Sequence, residues 1–169
     1  IPSGPAAGVL GVNKVKLSTV LDQGDDSEIR KMSMAEIRNL LTRWKKCHND
    51  GEEPLEDEEA TGEQLSALAH RLQQGGTPYV DFGVWRAHGS ELGRTLKFAA
   101  YFPTPGGGYS MKEIVGPSSF AEWERSWRVY AFGMEVLGAA PRTRLDRYRR
   151  HVQTLSCLLY TSDAADDSL

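Results

Sequence analysis

Apolar side chains recur at helical spacing in four stretches of the chain. From Ser33, the residues Met34, Ile37, Leu40, Leu41 and Trp44 fall on one helical face, and Ser33 and Glu36 have capping-box spacing. The pattern predicts a helix over 33–47. Thr61 and Gln64 repeat the box, and Leu65, Leu68, Ala69 and Leu72 mark a second helix that Gly75-Gly76 stops. The strongest pattern is at 119–137, where Phe120, Trp123, Trp127, Tyr130, Met134 and Leu137 share one side and Ser118 or Ser119 offers the N-cap oxygen. Such an aromatic face is the expected anchor of the core. Gly138 and Pro141 then reset the chain, and Leu145, Tyr148, Val152 and Leu155 predict a last helix over 142–156.

Between the second and third helices the period changes from helical to alternating. In 79–85, Val80, Phe82 and Val84 oppose Tyr79, Asp81, Gly83 and Trp85, which predicts a strand. A turn at Ala87–Ser90 and a second alternation, Leu96, Phe98, Ala100 and Phe102, complete a predicted β-hairpin. A loop at Pro103–Gly108 leads into a third candidate strand, 109–115. Residues 1–13 read as a flexible arm, and 14–29 as a short strand or docking segment. The run 50–63, with eight acidic residues and no basic one, reads as a solvated linker. The expected fold is α+β: one domain over 14–156 with N-terminal helices, a small antiparallel hairpin sheet, and two C-terminal amphipathic helices packed on it.

Composition adds little to this until the C-terminus is set apart. The chain is 40% hydrophobic and 25% charged, and no apolar run approaches the roughly 18–20 residues needed to span a bilayer. No membrane partner is expected. Residues 1–13 lack the pattern of a signal peptide, so an intracellular setting is the expectation, and the Ile1 start reads as a fragment of a longer reading frame. Residues 157–169, CLLYTSDAADDSL, break the pattern before them and resemble the translation of a library sequencing adapter, which sets them outside functional reasoning. Asp163, Asp166 and Asp167 of that tail account for the whole net charge of −3, leaving residues 1–156 neutral. Cys47 is then the one cysteine before the tail, which removes an internal disulfide or a multi-cysteine zinc site.

Candidate chemistry is sparse. Cys47 and His48 are adjacent, so their side chains point apart and no further ligand follows at metal spacing; the acidic run does not meet the EF-hand pattern. The glycines of 106–108 precede no Gly-Lys-Ser/Thr, so they read as a hairpin connection rather than a phosphate loop. Asp81, His88 and Ser90 are the residue types of a triad, but nothing in their spacing makes them meet. His70 beside the apolar stripe of the second helix reads as a half-buried histidine. No catalytic residue, metal site, cofactor or small-molecule substrate is expected, and the chain reads as a non-enzyme. The last helix is different: Arg142, Arg144, Arg147, Arg149 and Arg150 stand against Asp146, a basic face able to neutralise phosphates of RNA or DNA. It could equally answer the acidic run within the same molecule, or be a solvated surface.

Four blocks carry a resemblance: KVKLSTVLDQGDDSE at 14–28, EEATGEQLSALAHRL at 58–72, TPYVDFGVW at 77–85 and GPSSFAEWERSWRVY at 116–130. Together, in order and spacing over nearly all of 14–155, they resemble the uncharacterised repeated open reading frames of dinoflagellate genomes, whose longer members are similar to retroelement polyproteins. In those members the region tends to precede a Cys/His-rich knuckle and reverse-transcriptase-like sequence, which implies a Gag-like position. No catalytic or binding residue carries over. The resemblance therefore implies a structural or interaction module; self-association is expected from the apolar faces of the two C-terminal helices, which exceed what a small sheet can cover, and the basic helix supplies the alternative, nucleic-acid binding.

Overall fold

Ser33 and Thr61 each start a helix in the manner their spacing predicts. A computed structural model of the chain describes residues 13–48, 54–87 and 95–166, and in it both capping boxes are closed. The Ser33 N–H donates to Glu36 and the Glu36 N–H to Ser33 Oγ, at 2.7 and 3.2 Å; Thr61 and Gln64 do the same at 2.9 and 3.2 Å. In chain order the elements are β1 (Lys14–Lys16), α1 (Leu17–Val20), β2 (Glu28–Arg30), α2 (Met34–Cys47) and α3 (Gly62–Gln73). Then follow β3 (Thr95–Pro103), β4 (Tyr109–Pro117), α4 (Phe120–Val136) and α5 (Arg142–Asp166). The fold is α+β, with two separate antiparallel pairs, β1–β2 and β3–β4.

The core is built by helices on helices rather than by helices on a sheet. Leu65 and Leu68 of α3 meet α4 at Gly133, where an added Cβ would stand 3.1 Å from Leu68 Cδ2. Trp44 of α2 meets Phe132 edge to face, with ring centres 5.2 Å apart. The segment 14–29, expected as a strand or docking piece, closes this core from the N-terminal side. Its β1–β2 ladder pairs Val15 with Ile29, and Val15, Leu17, Leu21 and Ile29 are all buried. Residue Ser66, also buried, accepts the Met32 N–H at 2.8 Å and donates to the Gly62 carbonyl at 2.6 Å, so α3 is tied to the chain entering α2.

Three expectations are corrected. Residues 79–85 are not a strand: Asp81 accepts the Gly83 N–H on its side chain and the Val84 and Trp85 N–H groups on its carbonyl, at 2.8, 3.0 and 2.9 Å. An Asp-x-Gly turn of this kind outweighs a short alternation. The hairpin is instead β3–β4, in register from Thr95 opposite Pro117 to Pro103 opposite Tyr109, while the expected turn residues 88–90 lie outside the described residues. Helix α5 also continues past 156 to Asp166, because no Gly or Pro interrupts 142–166 and the apolar stripe is not what ends a helix. Finally, the acidic run is only in part a linker: residues 49–53 lie outside the described residues, but Ala60 is buried, Glu58 pairs with Arg128 at 2.9 Å and Glu63 with Lys31 at 3.0 Å.

The Glu36 box gives a titration that checks the α2 start. Arg30 beside it, and then the Ser33 N–H, hold the Glu36 carboxyl at about 2 instead of the ordinary 4.5. A depressed acid stabilises the fold above its ordinary value, and that contribution disappears as pH falls from 4.5 toward about 2. NMR titration of the Glu36 side-chain carbon should give the low midpoint, rising toward 4.5 in Arg30→Ala. An unchanged midpoint in that variant would remove Arg30 as the main cause.

Candidate functional site, an aromatic cleft beside a basic helix

Helix α4 carries more aromatic surface than its neighbours cover. The side expected as the core anchor, with Phe120, Trp123, Trp127 and Tyr130, is only partly closed: Trp127 and Tyr130 are buried, whereas Phe120 and Trp123 are half-buried. The opposite side is covered just as well, with Val129, Phe132 and Val136 buried against the rest of the molecule. An aromatic helix sealed on both sides near its C-terminal end thus opens near its N-terminal end. There it forms the floor of a cleft of about 590 Å³.

Each wall of the cleft follows from a local feature of the sequence. Residues 77–82 form one wall, held by the Tyr130 hydroxyl, which donates to the Pro78 carbonyl at 2.9 Å. The end of β4, Val115 to Pro117, forms the second; α5 supplies Arg144, Leu145 and Tyr148 as the third. Two of the walls are locked together by Gln23, whose side-chain amide donates to Asp81 at 2.7 Å and to the Val115 carbonyl at 3.2 Å. The lock requires Gly83, since a Cβ there would meet both the Gln23 amide and the Val115 oxygen.

Four rings run through the site as one stack. Phe120 and Trp123 are 5.6 Å apart, Trp123 and Trp127 5.2 Å and only 9° from parallel, and Trp127 and Tyr148 4.9 Å. Tyr148, at the α5 end, is 52% exposed and presents its ring at the mouth. Burial, and secondarily Tyr148, pushes the Tyr130 hydroxyl up to about 12; burial, then Asp81 and Asp22, also raises Tyr79 at the opposite rim. Both are therefore neutral hydrogen-bonding groups over the physiological range. Asp81 is engaged by hydrogen bonds from Gln23 and Gly83, so the charged side chain of the cleft wall with no hydrogen bond or ion pair among the described residues is Arg144.

The five arginines expected as one basic face are divided by the packing. Arg142 pairs with Glu135 at 3.2 Å and lies 3.6 Å from Asp146, and Arg149 pairs with Glu124 at 2.6 Å. These two look toward α4 and border a polar cleft of about 290 Å³ that Glu58, Glu124 and Arg128 also line. The acidic run meets α4, through Glu58 and Arg128, rather than α5. Arg144, Arg147 and Arg150 remain exposed, with no ion pair among the described residues.

The other sequence candidates disperse. His48 lies tilted against Trp44, ring centres 4.6 Å apart, and 3.5 Å from Glu135, a carboxylate only 4% exposed that also receives Trp44 Nε1 and Arg142. Cys47 is exposed, and His70 is half-buried with Gln74 at 2.9 Å. Asp81 belongs to the Gln23 lock, while His88 and Ser90 lie outside the described residues. Among the described residues no group of three or more His, Cys, Asp and Glu is placed to hold a metal ion, and no helix is long and apolar enough to cross a membrane. The residues that sequence reasoning missed are the walls, Thr77–Phe82 and Val115–Pro117. Their signal was an excess of aromatics, Tyr79, Phe82, Trp123, Trp127 and Tyr130, over what a small core can enclose. Comparison with protein-family models, with curated proteins and with solved structures finds no match to this chain.

Proposed function

We propose that the chain is a non-enzymatic interaction module of a retroelement-like protein, Gag-like in position, and that the aromatic cleft is its binding surface. One observation carries the reading: the stack Phe120–Trp123–Trp127–Tyr148 opens at Tyr148 into a wide apolar cleft with locked walls. Exposed aromatic surface on rigid elements is the usual makeup of a recognition hot spot. The groups lining it are suited to holding a flat or extended partner. Asp81 is already committed to the Gln23 lock, which leaves the cleft poorly equipped for acid-base work.

The test is the solution mass of the full chain by light scattering over a wide concentration range, with a parallel series containing single-stranded RNA. The expected result is growth beyond a monomer in at least one series. Tyr148→Asp, a change at an exposed position expected to keep the helical circular dichroism, should weaken that growth about tenfold or more. A strict monomer in both series, or growth indifferent to Tyr148→Asp, would overturn the reading.

A further inference from the structure

We infer that the partner of the cleft is a single-stranded nucleic acid, with a base stacked on Tyr148 in the cleft mouth and the phosphates carried along Arg144, Arg147 and Arg150. The inference rests on the reading of the cleft as the binding surface and names its occupant. Three observations converge on it. First, the cleft wall itself holds Arg144, one turn of α5 before Tyr148, so a cation and an open aromatic ring sit side by side. Second, Arg144, Arg147 and Arg150 succeed one another at three-residue steps, a rise of about 4.5 Å each, and wind from the cleft mouth onto the outer face of α5. Neighbouring cations that form no ion pair among the described residues leave a strip of positive potential. Their helix-mates Arg142 and Arg149 show the contrast, since both are paired with glutamates of α4.

Third, the first turn of α5 contains Arg142 and Arg144 and no acidic residue. A helix N-terminus already bears partial positive charge, so arginines there are unfavourably placed. Arg142 is relieved by Glu135 and Asp146; Arg144 has no such partner among the described residues, and an external anion at the mouth would provide the relief. Stacked aromatics beside a track of cations is the general solution for binding a strand whose bases are unpaired. A duplex would hide its base faces from Tyr148 and would gain only from the charges. An acidic peptide could use the arginines, but it offers no flat ring to the stack.

The experiment is fluorescence anisotropy of the full chain with a labelled single-stranded RNA of about 12 nucleotides, a length suited to one such groove, with the matching duplex as second probe. The expected results are tighter binding of the single strand and a log K against log salt slope of about −2, as three phosphate contacts on a single strand require. Tyr148→Ala should weaken binding about tenfold or more with the slope unchanged. The combined Arg144→Glu, Arg147→Glu and Arg150→Glu variant should abolish it. If that variant misfolds by circular dichroism, the corresponding Gln variant should bring the slope near zero. Absence of binding, a duplex bound as tightly, or a Tyr148→Ala or arginine variant that binds like the parent would overturn the inference. A chain that self-associates through Tyr148 yet ignores RNA would overturn it while leaving the interaction module standing; a monomer that binds neither would remove both.

Discussion

Trp85→Ala is expected to destabilise the fold by about 3–5 kcal/mol, the range for removing a fully buried Trp. Trp85 is 0% exposed and meets the Tyr130 ring edge to face at 6.1 Å. It belongs to the buried core and joins the 77–87 segment to α4 through that contact. Total stability of a domain this size is about 5–15 kcal/mol, so the variant would lie near the limit of folding. The indole N–H has no acceptor among the described residues, and a buried unpaired donor costs about 1–3 kcal/mol. Trp85→Phe should therefore be far milder, since it sheds the orphan donor along with part of the ring. Urea denaturation of the two variants decides the point. A loss below about 1 kcal/mol for Trp85→Ala would contradict a well-packed site, because truncations there cost several times more.

Gly83→Ala is the second large effect, expected at about 1–3 kcal/mol and concentrated on the cleft. The added methyl group would meet the Gln23 amide, the Val115 carbonyl and, at 3.0 Å, Asp81 Oδ1. The Gln23 side chain can swing aside, but the Val115 oxygen belongs to the β4 backbone and is held opposite Lys97 in the hairpin ladder. Relief thus means moving β4 away from the 77–82 wall, which opens the mouth of the cleft. Gln23→Ala in the same chain should not rescue the loss, and amide hydrogen exchange should rise around Val115–Pro117. Full rescue by Gln23→Ala would show that the close approach to the strand is unimportant.

These two positions lie in the segment where sequence reasoning went furthest astray. Val80, Phe82 and Val84 alternate with Tyr79, Asp81 and Trp85, and alternation is the usual mark of a strand. Yet the residues that become buried there are Val80, Gly83 and Trp85, a set with no period of two. Their burial is chosen by contacts distant in the chain: Asp81 N–H donates to the Leu21 carbonyl at 2.7 Å, and Gln64 reaches the Arg86 carbonyl at 2.7 Å. Neither partner is visible in a local window. Gln64 is instructive, because its capping role with Thr61 was plain from spacing while its second bond to the 86 carbonyl was not.

The sequence by itself determined the helices α2, α3 and α4, the starts of the first two at Ser33 and Thr61 and of the third at Ser118 or Ser119, and the two strands around the 103–108 turn; the structure chose Ser119. Caps, helical periodicity and glycine turns act over three or four residues, so a single chain displays them directly. Only the tertiary structure decided which apolar faces were sealed. The Trp123 side of α4 had the look of core but borders a cleft, because the 77–82 segment turns at Asp81 instead of running as a strand across it. Only the packing, too, divided the arginines of α5. Arg142 and Arg149 spend their charge on Glu135 and Glu124, and Arg144, Arg147 and Arg150 are left facing solvent. Whether a charge is satisfied depends on groups that approach within about 4 Å, and here those groups come from another helix.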